Sequence, residues 1–460
     1  MVTYKTDWLA SRPVFYNEKT NKVSYDINEV IDFRNLEFHP EGLNNYLDFG
    51  YSILGQTPIK NVKFLRHSSE ITIDRGKIKI KELEDPVSEW LKNHQQTSKE
   101  EEVINLLMKK IHDWEKSSQK KIVLPLSGGY DSRLLAYLIK DKSKLNAFTF
   151  GVSKKQEKSY EVIHAKKLCK KLGIKWGQIK LGDFHKYIDE WIKIFGPSVH
   201  AHGMYHLEFY KKIAEEGGTG HRWLSGIFGD VWAGSTPKKI VKSYKDLREI
   251  GYTHGLNADA NKCKIKTKFE LRKKFFRENK DIINDEIFQI VNLIRLKIIL
   301  ISYLMTLPRK EGFLPWSPFL DLDVAMSMLT INKNRRKKRL WQKDFFKKVG
   351  LDFESSLFFK KTTSNRLNYE ALRRISLKPL NVKILSEIIE EDYLNWINKT
   401  LSQETIKDKI IERILTIQKF GGFIRRYLKI KDKRITAYYA YLTIKPLEEV
   451  LIKKELYNRK

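Results

Sequence analysis

The chain has 460 residues, with 87 Lys or Arg against 56 Asp or Glu, a formal charge of +31. A hydrophobic share of 41% excludes a disordered chain, and the length exceeds what one core usually organises, so two domains are expected. The two cysteines, Cys169 and Cys263, stand far apart without a CxxC pair, which excludes a disulfide framework or cysteine-rich zinc site and fits a reducing cytoplasm.

In chain order, the first ten residues carry Lys5 and Asp7 and lack the apolar core of a signal peptide. Residues 1–85 read as β-rich, with β-branched and aromatic stretches at 12–16, 22–25, 62–65 and 70–73 between polar turns. A helix is expected from Pro86. A capping box, Ser98-Lys99-Glu100-Glu101, predicts a second, with Val103, Leu106, Leu107, Ile111 and Trp114 at helical spacing. The texture then changes. Residues 121–126 predict an apolar strand, 133–140 a helix, 146–151 a strand, 161–172 a helix stopped by Gly173, and 176–181 a strand. This alternation predicts an α/β fold with a parallel sheet and helical crossovers in residues 86–460, preceded by the small β-rich region. A further strand is expected at Arg222–Leu224, entering a glycine-containing turn, and beyond about residue 240 the pattern is helical and basic. The apolar run at 290–307 carries Arg295 and Lys297 near its centre and reads as a buried helix, not a membrane span.

The chemistry concentrates in Leu124-Pro125-Leu126-Ser127-Gly128-Gly129-Tyr130-Asp131-Ser132. A strand enters a turn with two glycines and a helix follows at once. The glycines let backbone amides approach an anion, Ser127 and Ser132 add hydroxyl donors, and the helix start adds partial positive charge. Asp131 repels an anion but suits the Mg²⁺ that accompanies a triphosphate.

Ser-Gly-Gly-Tyr-Asp-Ser resembles the pyrophosphate loop (PP-loop) of ATP pyrophosphatases, and more narrowly that of asparagine synthetase-like enzymes. Further matches follow in order: Phe148-Thr149-Phe150-Gly151, Leu224-Ser225-Gly226-Ile227-Phe228-Gly229-Asp230, and Pro318-Phe319-Leu320-Asp321. The resemblance covers roughly residues 86–350. It implies an ATP- and Mg²⁺-dependent ligase that adenylates a carboxylate and passes it to an amine or ammonia. It further implies that Leu126, Ser127, Gly128, Gly129, Asp131, Ser132, Phe150, Ser225 and Gly226 bind nucleotide, with Phe150 against adenine. Asp131 and Asp230 would hold the metal. The family's lysine for the phosphorus and oxyanion charge lies in a Lys-x-x-Leu pattern. Lys337-Lys338-Arg339-Leu340 fits it, with Lys337 first choice and Lys338 second.

The chain departs from the family in several places. Position 2 is Val2, not the glutaminase cysteine, so residues 1–85 read as a truncated, non-catalytic glutaminase-like remnant. Ile227, Val231, Leu314 and Trp316 replace polar residues on the acceptor side, which suits a larger, less polar substrate and a lactam-forming or sugar-amidating relative. Tyr130, Glu311 or a histidine is left as base for the amine. His200, His202 and His206 are expected to line or pack a pocket in preference to binding metal. Competing readings are a tRNA-modifying pyrophosphatase, which the charge of +31 would suit, and a nucleotide-binding scaffold. The spread of basic residues makes a solvated lysine-rich surface the simplest reading of the charge, although an anionic partner fits it too.

Overall fold

The computed structural model describes residues 1–94, 96–251, 255–353, 365–416 and 432–459. Eleven strands occur among them. They are β1 (Val2–Thr6), β2 (Phe15–Asn17), β3 (Val23–Ser24), β4 (Val62–Phe64), β5 (Ser69–Asp74), β6 (Lys77–Glu82), β7 (Ile122–Pro125), β8 (Leu145–Thr149), β9 (Lys175–Gln178), β10 (Arg222–Leu224) and β11 (Leu314–Trp316). The last five form one sheet in the order β11-β10-β7-β8-β9, with every pair parallel. The predicted α/β fold with a parallel sheet is what the chain adopts.

The sheet forms around central strands that are short apolar runs buried on both faces: Ile122, Val123 and Leu124 are at most 1% exposed, as are Trp223 and Leu224, while the edge strands β9 and β11 are partly exposed. The chain winds outward from β7 to β8 and β9, then returns to the other side of β7 for β10. The order therefore reverses between β7 and β10, and open sheets bind ligands in the crevice at such a point. The 127–132 turn leaves β7 there, and the 225–230 turn leaves β10 beside it.

Residues 1–85 are β-rich as expected, built from two antiparallel three-stranded sheets, β1-β5-β6 and β3-β2-β4. They also contain the helix Pro40–Phe49, which the sequence reading did not predict. Most of this region's buried side chains share one hydrophobic core with the rest, while Val14, Tyr16, Leu65 and Ile71 form a small cluster of their own. Trp8 stacks on Trp232 with ring centroids 5.8 Å apart and donates from Nε1 to Leu320 O at 2.9 Å. Tyr46 donates to Thr443 O at 2.9 Å.

One expected cap is wrong. The helix Glu100–Lys116 starts after Lys99, not Ser98, and has no side-chain cap. Ser98 Oγ lies 2.9 Å from Thr330 Oγ1, and its backbone N–H donates to Thr330 O, so a tertiary contact takes the residue out of capping position. The apolar stretch Glu286–Lys310 is long and apolar enough to cross a membrane, yet it is two helices, Glu286–Ile301 and Tyr303–Lys310, more than half buried. Arg295 within it bonds Asp85 at 2.7 and 2.8 Å and the carbonyl of Trp8 at 2.9 Å. Cys169 and Cys263 are buried, free thiols.

Candidate active site at the sheet crossover

The turn after β7 needs its first glycine. Gly128 has φ +70°, and a Cβ there would lie 2.7 Å from Cβ of His164 on the helix Tyr160–Leu172. Gly129 caps the following helix, Tyr130–Leu138, in extended conformation. The two serines close the turn: Ser127 N–H donates to Ser132 Oγ at 3.3 Å, the hydroxyls lie 3.2 Å apart, and Gly129 N–H donates to Ser127 Oγ at 3.3 Å. Arg133, fully buried, ties the turn to its surroundings through Gly128 O at 2.8 Å and Leu351 O at 2.9 Å.

The second turn packs directly on the first. A Cβ on Gly229 would lie 3.0 Å from Cβ and Cγ of Asp131, and one on Gly226 would lie 3.7 Å from Asp131 Cβ. Phe228 takes φ +68° to make this turn, an unusual conformation for an aromatic residue. Asp131 and Asp230, a hundred positions apart in sequence, thus reach one electrostatic environment. The Asp131 carboxyl is pushed up to about 7, first by burial and then by the Asp230 charge, with Arg339 and Gln342 pulling the other way. Two carboxylates that repel each other are a donor set for a hard divalent cation, and Mg²⁺ usually takes one or two protein carboxylates plus phosphate oxygens. Among the described residues no group of three or more His, Cys, Asp or Glu side chains could hold a metal. The histidines pack among rings: His202 stands edge-on to Tyr205 at 5.7 Å and His206 lies 4.1 Å from the Tyr205 ring. Burial holds His200 well below the usual range, His202 down to about 4 and His206 down to about 3.

Beside the turns lies a cavity of about 240 Å³ between β7, β8 and β10. Leu126, Ser127, Phe150, Ser225 and Gly226 line it, five of the expected nucleotide residues, together with His206, expected to line or pack a pocket, and Tyr210 and Trp223, which nothing in the sequence singles out for binding. Phe150 stands edge-on to Phe209 at 4.9 Å. Gly128, Gly129, Asp131 and Ser132, the other four expected nucleotide residues, belong to the turn that continues from Ser127 and do not line the cavity. Ile227, Val231, Leu314 and Trp316 do not line it; Trp316 stacks on Trp114 at 4.7 Å. Of the candidate bases, Tyr130 stacks on Phe346 at 5.6 Å, and Glu311 pairs with Lys211 at 3.7 Å outside this cavity.

The basic turn after Pro318–Leu320 also reaches the site, by a different residue from those expected. Lys337 and Lys338 are exposed. Arg339 turns inward: its Nη1 donates to Asp131 Oδ2 at 3.4 Å and its guanidinium lies 4.8 Å over the Tyr130 ring. Gln342 Nε2 donates to Asp131 Oδ1 at 3.3 Å. Lys297 was noted only as an interruption of an apolar run. Burial pulls its ammonium down to about 8 while the Asp230 charge supports it, so the two are electrostatic neighbours. A lysine in an apolar helix is costly to bury, and that cost was the signal available in the sequence.

Comparison with known proteins gives a match of residues 101–198 to the family model described as NAD synthase. Among solved structures the chain is similar to an NH3-dependent NAD synthetase from Campylobacter jejuni in complex with the nitrate ion. That similarity is at 17% identity and TM-score 0.22, over 53% of this chain and 96% of that one. No curated protein matches.

Proposed function

We propose that the chain is an ATP-dependent carbon–nitrogen ligase of the asparagine synthetase-like kind, adenylating a carboxylate and passing it to an amine or ammonia. The observation that carries this reading is the packing of the 225–230 turn, which bears Asp230, directly on Asp131 at the crossover between β7 and β10, beside an aromatic-walled cavity of about 240 Å³. The match of residues 101–198 to the NAD synthase model supports the ATP-dependent ligase part of this reading.

In this reading the base stacks against Phe150 within the cavity, and the triphosphate leaves through Ser127 and Ser225 toward the 127–132 turn. Backbone amides and the two serine hydroxyls offer hydrogen bonds to the β- and γ-phosphoryl oxygens. Asp131 and Asp230 would hold Mg²⁺, which neutralises the triphosphate charge. A carboxylate oxygen of the substrate attacks the α-phosphorus, and the bond from that phosphorus to the pyrophosphate oxygen breaks. The nitrogen lone pair of the amine then attacks the acyl carbon, AMP leaves with the bonding pair, and the amine loses a proton. The basic turn brings a guanidinium, not an ammonium, beside Asp131 for these steps. Residues 1–85 pack on the rest of the chain through Trp8 and Tyr46 and line no part of the cavity. Ile227 and Val231 favour a bulkier acceptor than aspartate, such as one that closes a lactam ring.

ATP–pyrophosphate exchange across a panel of carboxylates tests the reading. Asp131→Ala is expected to lower exchange by at least about a hundredfold while the thermal melt persists. Exchange at the wild-type rate in that variant would remove the metal role of Asp131.

A further inference from the structure

The run 333–339 contains three arginines, and the fold spends them differently. Arg335 is closed on Glu100 and Asp344, each at 2.6 Å. Arg336 is buried, pairing with Glu286 at 2.6 Å and donating to Ile331 O at 3.1 Å. Both tie the turn down. Gly234 helps, because its φ of +102° lets the 231–235 segment approach so closely that a Cβ there would lie 2.3 Å from Arg336 O. Trp341 Nε1 adds a bond to Ala233 O at 3.1 Å.

On this anchored base the chain makes two successive left-handed residues, Lys338 at φ +55° and Arg339 at φ +57°. Side-chain-bearing residues adopt that conformation at a cost, and it persists where the surroundings hold it. Its effect is to send Lys337 and Lys338 outward and Arg339 inward, onto the face of Tyr130 and the edge of Asp131. The Arg339–Asp131 contact is long and single, at 3.4 Å, unlike the two closed pairs beside it. Such a contact is weak and leaves most guanidinium donors uncommitted.

We propose that Arg339 is the pyrophosphate-binding cation of this site, held on Asp131 until a divalent cation claims that carboxylate. The assignment rests on the ligase reading above and places the charge on Arg339, not on Lys337 or Lys338. A metal ion on Asp131 repels the guanidinium, and the nearest anion is then a phosphate in the 127–132 turn. Arginine suits that partner because its planar fork can donate two parallel bonds to phosphoryl oxygens, whereas the stacked Tyr130 ring keeps the fork oriented. Bond making and breaking on phosphorus stay as described; Arg339 receives the leaving pyrophosphate and transfers no proton.

Calorimetric titration with inorganic pyrophosphate plus Mg²⁺, with AMP, and with Mg²⁺ alone tests the assignment. Arg339→Ala is expected to weaken pyrophosphate by at least about tenfold, leave AMP within about twofold, and tighten Mg²⁺ alone because a competing cation is gone. Arg339→Gln keeps the aliphatic stem and an amide donor without the charge and is expected to follow Arg339→Ala, which covers the case of a misfolded alanine variant. Lys337→Ala and Lys338→Ala are expected to leave pyrophosphate within about twofold. Unaltered pyrophosphate affinity in both Arg339 variants, or a larger loss in either lysine variant, overturns the assignment alone. Failure of the wild-type chain to take up ATP overturns the ligase reading along with it.

Discussion

The two ends of the cleft are built by opposite means. At the phosphate end the backbone does the shaping: Gly128, Phe228, Lys338 and Arg339 all take positive φ, and Asp131, Asp230, Arg339 and Lys297 bring charges of both signs together. At the other end no residue lining the 240 Å³ cavity has a positive φ, and its walls are side chains of ordinary strands and helices: Phe150, Phe209, Tyr210, Trp223 and Leu304. Anions are gripped by amides and fixed charges, which need special backbone geometry. A base is gripped by surface area, which needs only aromatic rings at the right places.

The largest effect expected from this contrast is on the metal requirement. Asp131 sits near pH 7 because burial, then Asp230, disfavours its charge. Below that pH a divalent cation must displace a proton, so the Mg²⁺ concentration for half-maximal exchange is expected to approach a tenfold rise per pH unit, about fiftyfold from pH 7 to 5. A flat requirement across that range would separate Asp131 from the metal. The sign for stability is also fixed: a carboxyl raised in the folded state favours folding in its neutral form. That contribution is complete below the unfolded value near 4 and is lost as pH rises through about 7.

The same contrast explains what could be read in advance. Two turns of the phosphate end were legible because their special conformations at Gly128 and Phe228 fall in short local strings, Ser127-Gly128-Gly129 and Ser225-Gly226-Ile227-Phe228-Gly229-Asp230. The strand–turn–helix setting of the first was also readable from periodicity. The parallel sheet was legible for the same reason, apart from β11, whose three residues Leu314-Pro315-Trp316 carry a proline that suits an edge strand. The base end was mostly illegible. Phe150 could be placed by resemblance, but Tyr210 and Trp223 lie far from it in sequence and meet it only through the crossover. Arg339 was missed inside a run that was recognised, because its direction depends on two left-handed residues that no residue type there advertises. Ser98 was misread as a cap for a similar reason, its partner Thr330 being 232 positions away.

A middle-sized effect isolates the base end. Phe150→Ala removes a ring from the cavity without touching the turns, so the KM for ATP is expected to rise about tenfold with kcat retained. Pyrophosphate affinity, measured by calorimetry, should stay at the wild-type value. If pyrophosphate weakens in parallel with ATP, the two ends are not separable and the contrast drawn above fails.

The smallest effect comes from His206, and it decides what the pH dependence means. Its ring lines the cavity, and its Nδ1 lies 3.2 Å from the Tyr303 hydroxyl. Burial, followed by the charge of His202, pulls it down to about 3, so the ring is neutral throughout the working range. A histidine at its usual value near 6.5 would give a limb in the pH–rate profile close to the one expected from Asp131. His206→Gln keeps a polar group for Tyr303 and is expected to change the KM for ATP by less than about threefold, leaving the limb near pH 7 in place. Loss of that limb in the glutamine variant would assign it to the imidazole and take it away from Asp131. Its persistence leaves the carboxyl as the group that titrates, at the end of the cleft where the backbone, and not the aromatic wall, sets the chemistry.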